Sequence, residues 1–209
     1  MTPFTTLTSV AAPLPEANVD TDIIFPARYL LLTQKAGLGP YAFRERRFDA
    51  QDQPRADFVL HQPRWQGAQI LVAGANFGCG SSREQAPWAL ADLGLRCLIA
   101  PSFGEIFEAN CLNNGLLPIS LPAAEHARVM AVAQAGGVLT VSLVDQTLSL
   151  PDGGVLALRI GARQRQALLQ GWDEIDRICH EQADAIAAFE SRQRLTQPWL
   201  YANELSSGG

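Results

Sequence analysis

A run of small and polar residues near the middle of the chain carries the side chains best suited to chemistry. Gly78 and Gly80 let the backbone turn sharply and approach a ligand closely, and Ser81, Ser82 and Arg83 follow them. A guanidinium offers a planar pair of N–H donors that matches the two oxygens of a carboxylate. A serine hydroxyl in a positive potential donates a hydrogen bond or loses its proton. The spacing indicates a site for a carboxylate-bearing ligand, with a plain glycine-rich turn capped by serines as the alternative.

Other chemistries fit this segment poorly. Ser–His hydrolysis needs an imidazole base, and the three histidines, His61, His126 and His180, are distant in sequence. A phosphate-binding P-loop would need a Gly-Lys ending followed by Ser or Thr, which this segment lacks. The dinucleotide pattern G-x-G-x-x-G also fails, because Arg83 stands where its last glycine belongs. Carboxylate chemistry is what remains.

The elements on either side should hold this segment at the edge of a sheet. Residues 69–74 (QILVAG) form an apolar run typical of a buried strand, and residues 84–93 place apolar side chains at helical spacing. Pro87 lacks an N–H and is tolerated only in a first turn, so the helix should begin near residues 83–84. The segment then lies between the carboxyl end of a strand and a helix N-terminus, where α/β sheets bind ligands and free N–H groups attract anions.

The next stretch of chain repeats this alternation of strand and helix. Apolar runs at residues 97–100 and 116–120 predict two more buried strands, with a helix between them that ends near Asn114. Ser102 and Glu105 have the spacing of a capping box at the start of that helix. The apolar side chains expected to face inward from it are Phe103, Ile106 and Phe107. Strands that alternate with helices imply a parallel sheet with right-handed crossovers.

The second half of the chain has a different pattern. A helix is predicted at residues 123–134, and apolar and polar residues then alternate over 138–144, 147–150 and 155–160, with a Pro-Asp-Gly-Gly turn before the last run. A final helix is predicted at residues 172–192. The apolar residues that it places on one side are Ile175, Ile178, Ile186 and Phe189. The predicted fold class is α/β, with a parallel core and an added antiparallel sheet.

Residues 1–197 are predicted to form a single domain. The first quarter of the chain is rich in loop residues, and residues 33–57, called the insertion below, combine Gly, Arg, Gln and Asp with little periodicity. At this length the insertion is too long for a mere connector, so we expect an exposed and functional loop. The tail, residues 198–209, ends in Ser-Ser-Gly-Gly and is predicted to be disordered.

Composition and net charge limit the kinds of partner that the chain is expected to bind. The chain has 209 residues, 18% of them charged, and a net charge of −5, so no basic surface for nucleic acid or an anionic membrane is expected. No apolar run approaches the roughly 20 residues of a membrane helix, and the N-terminus has no secretory pattern, which favours a cytoplasmic protein. The cysteines, Cys79, Cys97, Cys111 and Cys179, lack metal-binding spacing and are expected to be buried and reduced. No metal site is predicted in this chain.

Taken together, residues 76–84 (NFGCGSSRE) and 86–90 (APWAL) resemble the signature of the swivelling domain of the aconitase superfamily. More narrowly, they resemble the small subunits of the 3-isopropylmalate dehydratase family. Further segments with the same resemblance are residues 18–22 (NVDTD), 101–110, 114–118 (NGLLP) and 184–190. The resemblance spans roughly residues 18–193. It implies the swivelling β/β/α fold of an aconitase-type small subunit.

The resemblance also implies a division of labour between two chains. In this family a large subunit holds a [4Fe-4S] cluster with one iron open to the substrate, and the small subunit closes over it as a heterodimer or heterotetramer. The cluster polarises the leaving hydroxyl. The reaction moves a hydroxyl between neighbouring carbons of a small hydroxy-diacid, 2-isopropylmalate to 3-isopropylmalate in leucine biosynthesis. The small subunit itself would bind no cofactor.

Residue roles follow from the matched positions. Ser81 matches the general base that takes the proton beside a carboxylate, and Ser82 and Arg83 match residues that hold substrate carboxylate. Gly80 belongs to the same substrate-binding segment. Asp20 and Asp22 match an acidic pair that either positions the loop or contributes directly, with Asp22 expected to face the site. Arg28 is a candidate second carboxylate contact, near the insertion to which substrate choice is attributed.

Several positions depart from the family pattern. Gln85 stands where histidine is usual, Ala27-Arg28 replaces a lysine followed by glutamine, and residues 163–180 lack a glycine-rich run. Two alternatives therefore stay open beside the dehydratase. One is a divergent relative acting on another 2-hydroxy diacid, such as citramalate or dimethylmalate, and the other is a non-catalytic anion-binding module. A stand-alone serine hydrolase is disfavoured because no histidine lies near Ser81.

Overall fold

A computed structural model describes residues 1–201 of the chain. Its core is one seven-stranded mixed sheet with the strand order β4-β3-β2-β1-β5-β6-β7. The strands are β1 (Thr6–Leu14), β2 (Ile70–Ala73), β3 (Cys97–Ala100), β4 (Leu117–Ser120), β5 (Val138–Ser142), β6 (Thr147–Ser149) and β7 (Val155–Ala157). Strands β1 to β4 pair in parallel, and β1, β5, β6 and β7 pair antiparallel. The predicted fold class is confirmed.

Within residues 1–171, helices cover both faces of the sheet. The α-helices are α1 (Thr21–Ile24), α2 (Arg44–Arg47), α3 (Gln85–Asp92), α4 (Glu105–Asn113), α5 (Ala123–Gln134), α6 (Ala162–Gln170), α7 (Glu174–Glu181) and α8 (Ala183–Thr196). Short 3-10 helices lie at Ala27–Tyr29, Gly39–Tyr41, Val59–His61, Pro63–Trp65 and Pro198–Tyr201.

The core consists of two apolar clusters, one on each face of the sheet. Successive side chains of a strand point to opposite faces, so Leu71 of β2 packs with α3 and α4 while its neighbour Val72 packs with α5. Every residue of β2 and β3 is buried. Such doubly buried strands appear in a sequence as continuous apolar runs, which is why both were predicted.

Strand β1 corrects the expectation of a loop-rich first quarter. It joins the two halves of the sheet, pairing with β5 through Thr6–Val10 and with β2 through Ala11–Leu14. Thr, Ser, Ala and Pro dominate this segment, so its apolar signal is weak. Pro13 is tolerated because the β5 ladder ends at Val10, which leaves no partner on that side for the missing N–H.

Three local predictions about helices are wrong. Gly104 caps α4 without a side-chain hydrogen bond, and Ser102 Oγ instead accepts a hydrogen bond from Asn76 N, so the capping box is absent. Ile106 was expected to face inward and is 55% exposed. The helix predicted at residues 172–192 is broken near Gln182 into α7 and α8. The helix α6 before them was not predicted.

The chain divides into two compact units, residues 1–171 and the part from Trp172 onward. The second unit, as far as residue 201, contains α7, α8 and the last 3-10 helix; Ile175 and Phe189 are 72% and 52% exposed. The single domain over residues 1–197 stays a prediction. Residues 202–209, most of the tail predicted to be disordered, lie outside the described residues. Among residues 1–201, no helix is long and apolar enough to cross a membrane.

The insertion is only partly exposed. Leu38, Ala42 and Phe43 are buried in the apolar cluster that contains Leu71, whereas residues 33–37 and 49–57 are exposed. Its regular structure consists of α2 and the 3-10 helix Gly39–Tyr41. The buried side chains were hidden in the sequence because Gly, Pro and Arg separate them.

Candidate active site

The segment of residues 76–84, called the serine loop, lies directly beyond the carboxyl end of β2. Its backbone is hydrogen-bonded on both sides. Gly78 N donates to Val19 O at 2.7 Å and Thr21 N donates to Cys79 O at 2.9 Å on one side. On the other side, Phe77 N donates to Ser102 O at 3.1 Å. The loop therefore continues the parallel sheet as two isolated bridges, and its position is set by backbone contacts.

The two glycines of the loop have different reasons to be glycine. Gly78 has φ of +72°, and a Cβ there would lie 2.2 Å from the ring of buried Phe107, so only glycine fits. Gly80 has φ of +96°, and a Cβ would meet Asp20 and Thr21 at 3.5 Å, an ordinary contact distance. At Gly80 the backbone conformation alone favours glycine. Its predicted part in substrate binding stays a prediction.

The two serines stand at the open end of the site. Ser81 and Ser82 are both exposed, and α3 begins at Gln85 with Glu84 as its N-cap, within two residues of the prediction. Pro87 is the third residue of the helix, where it costs no hydrogen bond. Arg83 N and Ala86 N already donate to Ser81 O and Arg83 O, and Pro87 has no N–H, so the start of α3 contributes its dipole rather than a set of free donors. That positive potential lies just behind the serines and favours an anion at this position.

Thr21 is a site residue that sequence reasoning missed. Its side chain is buried, with 1% of the residue exposed. Its Oγ1 donates to Ser81 O at 3.0 Å and lies 3.3 Å from Ser81 Oγ. The sequence feature that could have identified it is its place between Asp20 and Asp22 in the segment 18–22.

The two aspartates beside Thr21 do different work. Asp20 Oδ1 accepts from Ile23 N at 2.8 Å and caps α1. Asp22 forms an ion pair with Arg83, whose side chain is only 16% exposed. The structure thus brings Asp22 to the serine loop. A guanidinium held on one side by a carboxylate keeps its remaining N–H groups in a fixed direction, which suits a second, incoming carboxylate.

Arg28 is not brought to the serine loop by any hydrogen bond or ion pair within residues 1–201. It pairs with Glu45 of α2, and its guanidinium carbon lies 4.8 Å from the centre of the Tyr29 ring. Both partners of the ion pair are more than half exposed. Arg28 therefore contacts the insertion, and its predicted contact with substrate stays a prediction.

The cysteines offer no metal centre in the described residues. Within residues 1–201, no group of three or more His, Cys, Asp or Glu side chains is placed to hold a metal ion. Cys97 and Cys111 are fully buried, and burial raises the pKa of each thiol well above its usual range. Both thiols stay protonated, which makes them poor ligands and poor nucleophiles. Cys79 is half-buried and Cys179 is exposed, which corrects the expectation that all four cysteines are buried; none of the four forms a disulfide bond within the described residues.

The fold and the serine loop together define a swivelling domain of the aconitase class. Residues 1–124 match the family described as the aconitase C-terminal domain, and residues 181–203 match the C-terminal domain of 3-isopropylmalate dehydratase small subunits. A solved structure titled as a 3-isopropylmalate dehydratase from Methanocaldococcus jannaschii is similar, with a TM-score of 0.64 at 24% identity. That comparison covers 88% of this chain and 99% of the other, and it supports the fold.

Full-length relatives narrow the class. A 3-isopropylmalate dehydratase small subunit from Dinoroseobacter shibae is 48% identical over 96% of this chain and all of its own length. One from Rhodospirillum centenum is 50% identical over 95% of this chain and 98% of its own. The chain belongs to the family of 3-isopropylmalate dehydratase small subunits, which confirms the resemblance carried by the serine loop.

Proposed function

We propose that the chain is the small subunit of a hydro-lyase that interconverts 2-isopropylmalate and 3-isopropylmalate by dehydration and rehydration in leucine biosynthesis. The observation that carries this proposal is the intact serine loop in a chain that matches dehydratase small subunits end to end. Ser81 lies beside the buried Thr21 and Arg83 is paired with Asp22, an arrangement that supports catalysis over a non-catalytic module. The proposed location is the cytoplasm.

Ser81 is proposed as the general base that removes the proton from the carbon next to a substrate carboxylate. A serine hydroxyl is a weak base, so its alkoxide has to be stabilised. The positive end of α3 supplies part of that stabilisation. Thr21 supplies another part, because its single proton can turn from Ser81 O, at 3.0 Å, to Ser81 Oγ, at 3.3 Å. The exposure of Ser81 leaves its other side open to substrate.

Arg83 and Ser82 are proposed to hold a substrate carboxylate. The ion pair with Asp22 orients the Arg83 guanidinium, and its remaining N–H groups can donate to the two oxygens of a carboxylate in the bidentate arrangement. Ser82 and the backbone at Gly80 would add donors on the same side of the loop. Asp22 then acts through Arg83. Removal of Asp22 would loosen the guanidinium rather than remove a substrate contact.

The proposed partner is a large subunit that carries a [4Fe-4S] cluster, in a heterodimer or heterotetramer. Four-cysteine ligation is the usual way to hold such a cluster, and the thiols of this chain are scattered, with Cys97 and Cys111 buried and protonated. When bound in the partner, the cluster supplies Lewis-acid polarisation of the leaving hydroxyl. The exposed serines fit a site that a second chain covers.

The test is anaerobic turnover of the complex formed with a co-expressed large subunit. Absorbance of the unsaturated intermediate would be followed with 2-isopropylmalate, citramalate, dimethylmalate and citrate. Ser81→Ala should lower kcat by about a thousandfold or more, the size expected when a proton-transferring group is removed. Ser149→Ala, in β6 of the antiparallel half, is the matched control and should keep full activity.

Each outcome has a distinct meaning. Turnover of 2-isopropylmalate supports the proposed substrate. Turnover of citramalate or dimethylmalate alone would keep the mechanism and assign the chain to another 2-hydroxy diacid, in line with the departures at Gln85 and Arg28. Ser81→Ala activity within a few-fold of the wild type would contradict Ser81 as the base. An assembled, cluster-loaded complex that turns over none of the four would favour the anion-binding module.

A further inference from the structure

The side-chain amide of Asn114, at the C-terminal end of α4, is a hydrogen-bonding centre outside the serine loop. Its Oδ1 accepts from Trp88 Nε1 at 2.9 Å and from Lys35 Nζ at 3.0 Å. Its Nδ2 donates to Glu84 Oε1 at 3.2 Å and to Asn110 O at 2.8 Å. A primary amide has two acceptor sites and two N–H donors. All four are used, and these five residues are called the Asn114 network.

Local helix capping accounts for only one of the four bonds. The bond to Asn110 O satisfies a carbonyl in the last turn of α4, as a polar residue at a helix end commonly does. The other three bonds reach 26 to 79 residues along the chain. Lys35 belongs to the insertion, Trp88 to α3, and Glu84 is the N-cap of α3 and the neighbour of Arg83. The network thus joins the insertion to the helix that follows the serine loop.

A second contact attaches the insertion to the same helix. Gly39 N donates to Asp92 Oδ2 at 2.7 Å. A Cβ at Gly39 would lie 2.9 Å from the Asp92 backbone, so the insertion and α3 meet at a position where only glycine fits. Between the two attachments lies an open cleft of about 340 Å³, lined by Lys35, Ala36, Trp88, Ala91, Asp92 and Asn114. Leu38 packs in the core beside Gly39, whereas residues 33–37 are exposed and reach α4 through Lys35.

We propose that Asn114 and Lys35 are positioning residues that couple the insertion to the serine loop through α3. Lys35 Nζ lies over the Trp88 ring, 5.2 Å from its centre, as well as on Asn114. Ordering of residues 33–38 then tightens the contacts of Trp88 and Glu84, and Glu84 is covalently next to the carboxylate-binding Arg83. The link between the ordering of residues 33–38 and substrate affinity rests on the proposed function.

The test compares two substitutions of exposed cations in the insertion. Lys35→Met removes the ammonium and keeps the aliphatic stem, whereas Arg55→Met removes an exposed cation whose ion pair within residues 1–201 is with Asp57. Backbone amide exchange over residues 33–39 should be about fivefold faster in Lys35→Met, since fewer contacts oppose local opening, and unchanged in Arg55→Met. In the assembled enzyme, KM should rise about threefold for Lys35→Met with kcat within twofold of the wild type. Lys35→Arg keeps a donor and should restore both values.

Asn114→Ala removes the whole network and should affect both loops. Exchange should be about tenfold faster over residues 33–39, and kcat should fall by about fivefold because Glu84 and its neighbour Arg83 lose a support. Wild-type exchange in Lys35→Met would overturn the proposal, and so would faster exchange with an unchanged KM. An inactive wild-type complex would instead refute the proposed function, and amide exchange would still decide whether the Asn114 network holds the insertion.

Discussion

The serine loop and the insertion are both irregular segments near the site, but different kinds of contact hold them. The serine loop is fixed by its backbone, with hydrogen bonds to residues 19–21 on one side and 102–104 on the other. The insertion is fixed by side chains, among them the buried Leu38, Ala42 and Phe43 and a set of arginines. Its guanidinium contacts include Arg28 with Glu45, Arg44 with Asp52, Arg46 with Glu16, and Arg47 with the carbonyls of Gly39 and Ala42.

This difference explains why one segment was predictable and the other was not. A loop fixed by its backbone needs glycine where φ is positive and where two segments of the chain approach closely. This requirement is visible in the local sequence as Gly78 and Gly80. A loop fixed by side chains depends on partners elsewhere, such as Glu16, which is 30 residues from Arg46. The first kind of loop tolerates almost no change at Gly78, where backbone conformation and packing both require glycine. The second should yield gradually as its arginines are removed.

Gly78→Ala should give the largest effect. The new Cβ would lie 2.2 Å from the Phe107 ring at a residue whose φ is +72°. Overpacking and left-handed strain together should lower the free energy of unfolding by about 4 kcal/mol. Urea unfolding followed by circular dichroism measures this change. A loss under 1 kcal/mol would mean that the serine loop and α4 move apart easily. It would contradict the claim that the serine loop is rigid.

Arg47→Met tests the insertion. The Arg47 guanidinium donates to Gly39 O at 2.7 Å and to Ala42 O at 3.1 Å, while burial lowers its pKa, with the charge of Arg44 adding to the effect. Two charge-assisted bonds opposed by this desolvation should leave a net loss of about 2 kcal/mol in the free energy of unfolding. Urea unfolding and limited proteolysis within residues 33–57 would measure it.

The matched control for Arg47 is an exposed arginine of the same insertion. Arg55→Met removes an exposed surface pair with Asp57 and should leave the free energy of unfolding unchanged within the error of the measurement. Equal losses for the two substitutions would show that burial of Arg47 does not matter.

Thr21→Val separates function from stability within the serine loop. Valine keeps the shape but removes the hydroxyl that donates to Ser81 O and lies 3.3 Å from Ser81 Oγ. If Thr21 stabilises the deprotonated serine, kcat should fall about tenfold, the value of one lost hydrogen bond, with KM little changed. Steady-state kinetics of the assembled enzyme measure both constants. A change in KM alone would indicate that Thr21 only shapes the loop.

The difference between local and distant contacts also explains which strands and caps could be predicted from the sequence. Strands β2 and β3 were predictable because both faces are buried, which leaves an uninterrupted apolar run. Strand β1 was missed because its neighbours change at Val10 and its small side chains carry little signal. Ser102 has the spacing of a cap, yet its hydroxyl is taken by Asn76, a tertiary contact that spacing cannot show.

The site was predictable in its parts but not in its connections. Ser81 and Arg83 stand out by residue type, whereas the ion pair of Arg83 with Asp22 joins residues 61 positions apart. Arg28 illustrates the converse, since a charged residue near the motif pairs with Glu45 instead. Side-chain partners across a fold depend on distances that only the folded chain sets.

Gly37→Ala gives the smallest effect and completes the comparison. Gly37 has φ of +83°, close to that of Gly78, but no atom lies within 4 Å of the position that a Cβ would occupy. The two glycines therefore share backbone strain and differ in packing. Alanine at Gly37 should cost about 1 kcal/mol of unfolding free energy, the penalty for left-handed backbone alone. Subtracting this loss from that of Gly78→Ala, both measured by urea unfolding, isolates the packing of the serine loop on Phe107. Equal losses at the two positions would mean that strain, and not packing, holds the serine loop in place.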